Sequence, residues 1–105
     1  MGGIADRVFL SLPHQLTRSE LVAVRLSLVK TGLKEQGYEC ASIEGSIGLN
    51  NIDTLAVLRL GLLVSCQAVW FPKDFERSAL SVGEYNYAYA LDKRIIVDGS
   101  RRLLD

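Results

Sequence analysis

Short apolar runs suited to strands alternate with longer stretches of helical period, and this alternation narrows the possible folds more than any other feature. A first strand covers Arg7 to Ser11, and Pro13 ends it. Thr17 or Ser19 can cap the helix that follows, with Glu20 in its first turn. Leu21, Val24, Leu28 and Leu33 carry its apolar spacing to about Gln36, and Gly37 supplies the stop. Tyr38 to Ile43 reads as a second strand, and Glu44 to Asn51 as a glycine- and asparagine-containing loop. A second helix starts near Asp53, with Ile52, Leu55, Ala56, Leu62 and Leu63 on its inward face. Ala68 to Phe71 is the third strand, Ser81 to Leu91 the third helix and Arg94 to Val97 the fourth strand.

Strands that alternate with helices form a parallel sheet covered on both faces. Right-handed crossovers restrict the order to a flavodoxin- or Rossmann-like one. The expectation is an α/β three-layer sandwich with a four- to five-stranded, mainly parallel sheet. At 105 residues the chain makes one domain, with residues 1–5 as a loose tail. The segment Asp98 to Asp105 is expected either to pair with a partner subunit or to fray.

Twelve acidic residues balance twelve basic ones without blocks of like charge. Nothing here attracts a nucleic-acid polymer or an anionic membrane at long range. No apolar run reaches spanning length, and the N-terminus has no charged region followed by an apolar core. Cys40 and Cys66 fit no metal or redox spacing, so both read as buried free thiols of a cytoplasmic protein.

Glu84 is the residue most suggestive of chemistry. It is expected in the first turn of a helix that follows the end of a strand, where open α/β sheets bind ligands. The helix N-terminus favours its charge there. An ionised, positioned carboxylate can attack a sugar carbon; an exposed helix-start glutamate that only complements the dipole is the plainer alternative. Ser78 and Ser81 could bind a sugar hydroxyl or a 5′-phosphate at the helix start, or Ser81 could simply cap the helix. Ser11 and His14 lie in the loop after the first strand, at the same end of the sheet. His14 could contact phosphate or base, or be a solvated loop histidine. Asn50 and Asn51 could read a base edge or form a turn. Arg59 sits among the apolar residues of the second helix. It either finds an anionic partner in Glu84, Asp53 or a bound phosphate, or snorkels to solvent.

Three stretches carry a resemblance. Ser65-Cys66-Gln67-Ala68-Val69-Trp70-Phe71-Pro72 is one; Ser78 with Glu84 six residues on, then Ala88, Ala90, Leu91 and Ile95-Ile96, is the second; Val8-Phe9-Leu10-Ser11-Leu12-Pro13 is the third. Together they resemble the nucleoside 2-deoxyribosyltransferase-like family, including its nucleotide N-glycosidase and small phage-associated branches. The resemblance implies cleavage or transfer of a nucleoside or nucleotide N-glycosidic bond, with Glu84 as nucleophile and Ser11, Ser78 and Ser81 holding sugar or phosphate; His14, Asn50 and Arg59 join them as candidate substrate-binding residues on the reading of their positions above. It implies no metal or diffusible cofactor, a nucleoside or nucleotide as ligand, and a homodimer or higher oligomer. The interface would bury the Tyr85–Tyr89 helix or Trp70–Phe75. Serine at position 78, where the transferase branch carries aspartate, favours a nucleotide over a nucleoside.

The departures are as informative. Arg59 and Gln67 stand where the family usually has aspartates, the earlier of which helps protonate the departing base. Phe9 replaces a tyrosine that offers a sugar contact, and Leu12 and Leu80 replace glycines. A nucleophile without an acid expels a base poorly, because general acid catalysis supplies about 10²–10⁴-fold. The same residues therefore also support a catalytically impaired nucleotide-binding or regulatory protein on this fold.

Overall fold

The computed structural model describes residues 5–14, 19–43 and 52–104. Four strands, β1 (Asp6–Leu10), β2 (Tyr38–Ala41), β3 (Ala68–Phe71) and β4 (Arg94–Val97), alternate with three helices, α1 (Glu20–Glu35), α2 (Ile52–Val64) and α3 (Ala79–Ala90). A single 3₁₀ turn, Phe75–Arg77, precedes α3. All pairings are parallel and the strand order is β2-β1-β3-β4. The expected α/β fold with a mainly parallel sheet is thus what forms, with four strands and every pair parallel. The expected tail over residues 1–4, the alternative cap Thr17 and the loop with Asn50 and Asn51 lie outside the described residues.

The central strands show why the sheet is buried on both faces. Val8 and Leu10 of β1 and Ala68 and Trp70 of β3 point to one side, where they pack with Val22, Leu26, Val29 and Leu33 of α1 and with Leu103. Phe9, Val69 and Phe71 point to the other, against Leu63 of α2 and Ala88 of α3. Side chains alternate across a strand, so each central strand feeds two cores. The outer strands β2 and β4 are partly exposed.

Helix α1 turns a different stripe inward from the expected one. Val22, Leu26, Val29 and Leu33 are buried, whereas Leu21, Val24 and Leu28 are exposed. Both stripes have helical spacing. The buried one stays apolar along the whole helix, while the other runs into Thr31 and Glu35. Ser19 is the cap, accepting from Val22 N–H at 3.2 Å.

In α2 the expected inward face is also corrected. Ile52 is exposed, Leu55, Ala56 and Leu62 are half-buried, and Arg59 and Leu63 are the fully buried residues. The helix is apolar nearly all round, so hydropathy does not fix its rotation.

The C-terminal segment is tied to its own chain through Leu104 rather than frayed. Asp98 N–H donates to Phe71 O, and Lys73 N–H donates to Arg101 O. The Asp74 carboxylate accepts from Leu103 N–H at 3.0 Å and Leu104 N–H at 2.6 Å, and Leu103 is buried against the α1 core. Neither cysteine forms a disulfide, but only Cys66 is fully buried, with Cys40 half-buried on β2.

Gly37 ends α1 with φ +93°, and its N–H closes on Lys34 O at 3.0 Å. Only the backbone, not space, demands glycine there, since an added Cβ meets nothing within 4 Å. Gly32, inside α1 at ordinary φ, also has open space. Gly37→Ala should therefore lower the unfolding free energy by about 1 kcal/mol, whereas Gly32→Ala should raise it by up to about 1 kcal/mol. Urea titration of the two variants checks the opposite signs.

Candidate functional site

The chain steps from β1 outward to β2, then returns past β1 to β3, with α1 and α2 on opposite faces. In open α/β sheets, ligands are taken at such a reversal, which here lies at the carboxyl ends of β1 and β3. Residues just after β1 and just after β3 must meet there. Ser11 and His14 come from the first segment; Ser78, Ser81 and Glu84 come from the second.

Helix α3 begins at Ala79, with Ser78 as its cap: Ser78 Oγ accepts from Ser81 N–H at 3.4 Å. Two expectations change as a result. Ser78, not Ser81, does the capping, and Glu84 falls in the second turn. A helix dipole acts mainly within its first turn, so it contributes little to Glu84.

The partner of the Glu84 carboxylate is Arg59. Its Nε donates to Glu84 Oε2 at 2.7 Å and its terminal nitrogen Nη2 donates to Oε1 at 2.6 Å. Ser11 Oγ donates a third bond to Oε1 at 2.6 Å. Both charged side chains are almost wholly buried, at 4% and 3% exposed. Paired, bidentate bonds of this kind are among the strong ones. Arg59 therefore neither snorkels to solvent nor pairs with Asp53 instead; it faces inward across the helix pair.

His14 reaches the same cluster by its Nδ1, 3.1 Å from Ser78 Oγ. The Ser78 hydroxyl already accepts from Ser81 N–H, so its own proton can go to Nδ1, with the imidazole proton then on Nε2. His14 is exposed as a whole, and the covering of part of its ring pushes its pKa below the ordinary imidazole value. The Arg59 cation adds to that, and the Glu84 charge opposes it. Ser81 Oγ is buried and has no hydrogen-bond partner among the described residues. A hydroxyl left so costs about 1–3 kcal/mol, which a ligand oxygen at the helix start would relieve.

The structure brings together Ser11, His14, Arg59, Ser78, Ser81 and Glu84, and Asn50 is not among the described residues. Gln67 lies elsewhere. It precedes β3 at the opposite end of the sheet, where its Oε1 accepts from Arg7 N–H at 2.7 Å. Phe9 and Trp70 are core side chains with almost no exposure. Phe71 is likewise internal, ringed by Phe75 and Tyr85 at centroid distances of 5.1 and 5.4 Å. Trp70 and Phe71 cannot be the expected subunit interface, because burial on the sheet uses them first. Tyr85 is half-buried in this cluster while Tyr89, four residues on, is exposed. Asp74, which sequence reasoning passed over, sits beside the cluster and fixes the C-terminal segment. A carboxylate two residues after Pro72 gives no signal of that role. Among the described residues no His, Cys, Asp and Glu group could hold a metal ion, and no helix is long and apolar enough to cross a membrane.

Comparison with family models, curated proteins and solved structures finds no match.

Two outcomes follow from the site alone. Removing either partner of the buried pair leaves the other charge unpaired, so Arg59→Leu and Glu84→Leu should each cost about 3–5 kcal/mol. The double variant Arg59→Leu/Glu84→Leu should lose far less than their sum, and denaturant unfolding measures the difference. Single variants that fail to fold beside a folded double variant give the same result; additive losses contradict the pairing. The second outcome concerns His14. Its lowered pKa means the unfolded chain takes up a proton more readily than the folded one. Its contribution is complete above about pH 6.5 and is lost as pH falls through the folded pKa. Between about pH 7 and pH 5, the parent should lose stability relative to His14→Gln. A difference that stays constant with pH would contradict this.

Proposed function

We propose that this chain binds an anionic nucleotide-type ligand at the crevice between β1 and β3, on a deoxyribosyltransferase-like architecture whose glutamate has been withdrawn from catalysis. The observation that carries this reading is the Arg59–Glu84 pair. A nucleophilic carboxylate needs an oxygen free to approach the anomeric carbon at about 3–3.5 Å. Here Oε1 accepts from both Ser11 and Arg59, and Oε2 accepts from Arg59. The charge that would attack is shared with a guanidinium in a closed environment.

The acid half of the reaction lacks a candidate as well. Arg59 holds the position the resemblance gives to the proton-donating aspartate, and a guanidinium does not give up a proton in this range. Gln67 is at the wrong end of its strand. Ligand binding is supported by the other half of the cluster: the α3 N-terminus, the Ser78 cap bonded to His14, and the Ser81 hydroxyl, which has no partner among the described residues. Those groups suit a phosphate oxygen better than a sugar carbon.

One observation favours the alternative, slow N-glycosidic cleavage. Oε2 takes a bond only from Arg59 Nε and so keeps a second lone pair. In that reaction Oε2 would bond to the anomeric carbon, the carbon–nitrogen bond would break with its electron pair going to the base, and water would later release the sugar.

Calorimetry with deoxynucleoside 5′-monophosphates and the matching nucleosides tests the first reading, alongside chromatography for released base. The monophosphates should bind at least about tenfold tighter, and no base should be released. Ser81→Ala should weaken the monophosphates and leave the fold intact. Base release that Glu84→Gln abolishes would replace this reading with the alternative. Absence of binding by either class would remove it.

A further inference from the structure

Five of the side chains at the site are sealed in. Ser11, Arg59, Ser78, Ser81 and Glu84 are each at most 3% exposed. His14 differs: it stands exposed in the segment that leaves β1, and it is the only histidine of the chain. A group whose charge changes near neutral pH thus lies between solvent and a buried polar cluster, 3.1 Å from Ser78 Oγ.

The Ser78 hydroxyl has one proton to give and two lone pairs to offer. One lone pair accepts from Ser81 N–H at 3.4 Å, which caps α3. While the imidazole is neutral, the hydroxyl proton goes to Nδ1, because the alternative leaves that buried proton without an acceptor among the described residues. What Ser78 has left is then a lone pair, which repels an anion. Protonation of His14 reverses this. A proton from solvent enters at Nδ1, and Nδ1–H donates to Oγ. Both lone pairs of Oγ are now filled, and its own proton turns to a new acceptor.

Resting on the anionic-ligand reading given above, we propose that His14 and Ser78 form a proton relay that couples anion binding at the α3 N-terminus to proton uptake. The proton that His14 takes from solvent turns Ser78 from an acceptor into a donor for a phosphate oxygen. The Ser81 hydroxyl, buried and without a partner among the described residues, is a second donor on the same turn. The charged groups that act on the ring are Arg59 of α2, which opposes its protonation, and Glu84 of α3, which favours it. These two are paired with each other. Glu76 and Arg77, on the turn before Ser78, are exposed and opposite in charge. In the free protein the covering of the ring and the Arg59 cation keep His14 neutral near pH 7. A bound anion adds negative charge that no neighbouring cation already neutralises, and so draws the proton in.

A single histidine makes the test direct, because its ring protons are read without assignment by proton magnetic resonance. The ring is titrated from about pH 5 to about pH 8, with and without saturating deoxynucleoside 5′-monophosphate. Calorimetry gives the affinity of the same ligand at each pH for the parent, His14→Gln and Ser78→Gly. The ligand should move the ring titration to higher pH. The affinity of the parent relative to His14→Gln should rise about tenfold from the top of that range to the bottom. Taking the ratio cancels the titration of the ligand's own phosphate. Ser78→Gly keeps a serviceable helix cap and should lose this rise. Monophosphate binding with parallel pH profiles for the parent and His14→Gln, or a ring titration that the ligand leaves unmoved, overturns the relay while the anionic-ligand reading stands. A rise kept in full by Ser78→Gly also overturns it, since His14 would then act by charge alone. Absence of monophosphate binding at every pH removes the relay and the reading together.

Discussion

A buried ion pair between Arg59 and Glu84 ties three parts of this molecule together: α2, α3 and, through Ser11, the end of β1. Taking two charges out of water costs several kcal/mol per ion, and mutual attraction offsets that only when the geometry is good and the remaining lone pairs are used. Here the guanidinium is bidentate and the serine hydroxyl uses a further lone pair. Apolar residues in the same places could give comparable stability. What they could not give is direction. With nearly uniform hydropathy around α2, Leu55, Leu58, Leu60 or Leu62 could face the sheet equally well. Only the arginine distinguishes one rotation from another, since every alternative leaves Glu84 buried without its partner.

This explains how much of the architecture was readable from sequence. Strand positions were legible to within two residues, because buried parallel strands are short apolar runs bounded by breakers. Ala68–Phe71 and Arg94–Val97 are identical in expectation and structure. Gly37 was legible as a stop because its φ excludes most other residues. Convergence of Ser11, Ser78 and Glu84 followed from topology, since residues after β1 and β3 must meet at the chain reversal. The rotations of α1 and α2 were not legible. Each helix offers two apolar faces, and tertiary partners choose between them. The start of α3 was misplaced because Ser78 and Ser81 are both good caps; the choice depends on the chain's exit from the 3₁₀ turn Phe75–Arg77. The role of Asp74 was hidden because its partners are backbone N–H groups some thirty residues away.

The pair also links the interior to the surface. Helices on the outside of a sheet normally carry charges outward, which keeps the monomer apart from its neighbours. In α2 and α3 the charge at each central position points inward and is cancelled there. The arrangement that occupies the Glu84 oxygens is therefore the same one that leaves residues 55–64 and α3 with no outward charge. Placing an acid at position 59 would set two carboxylates against each other in a closed space, where one must take up a proton or the helices must separate. The occupied Glu84 carboxylate and the character of the helix face are thus two consequences of one pairing. Neither can be undone without disturbing the packing of α2 on α3.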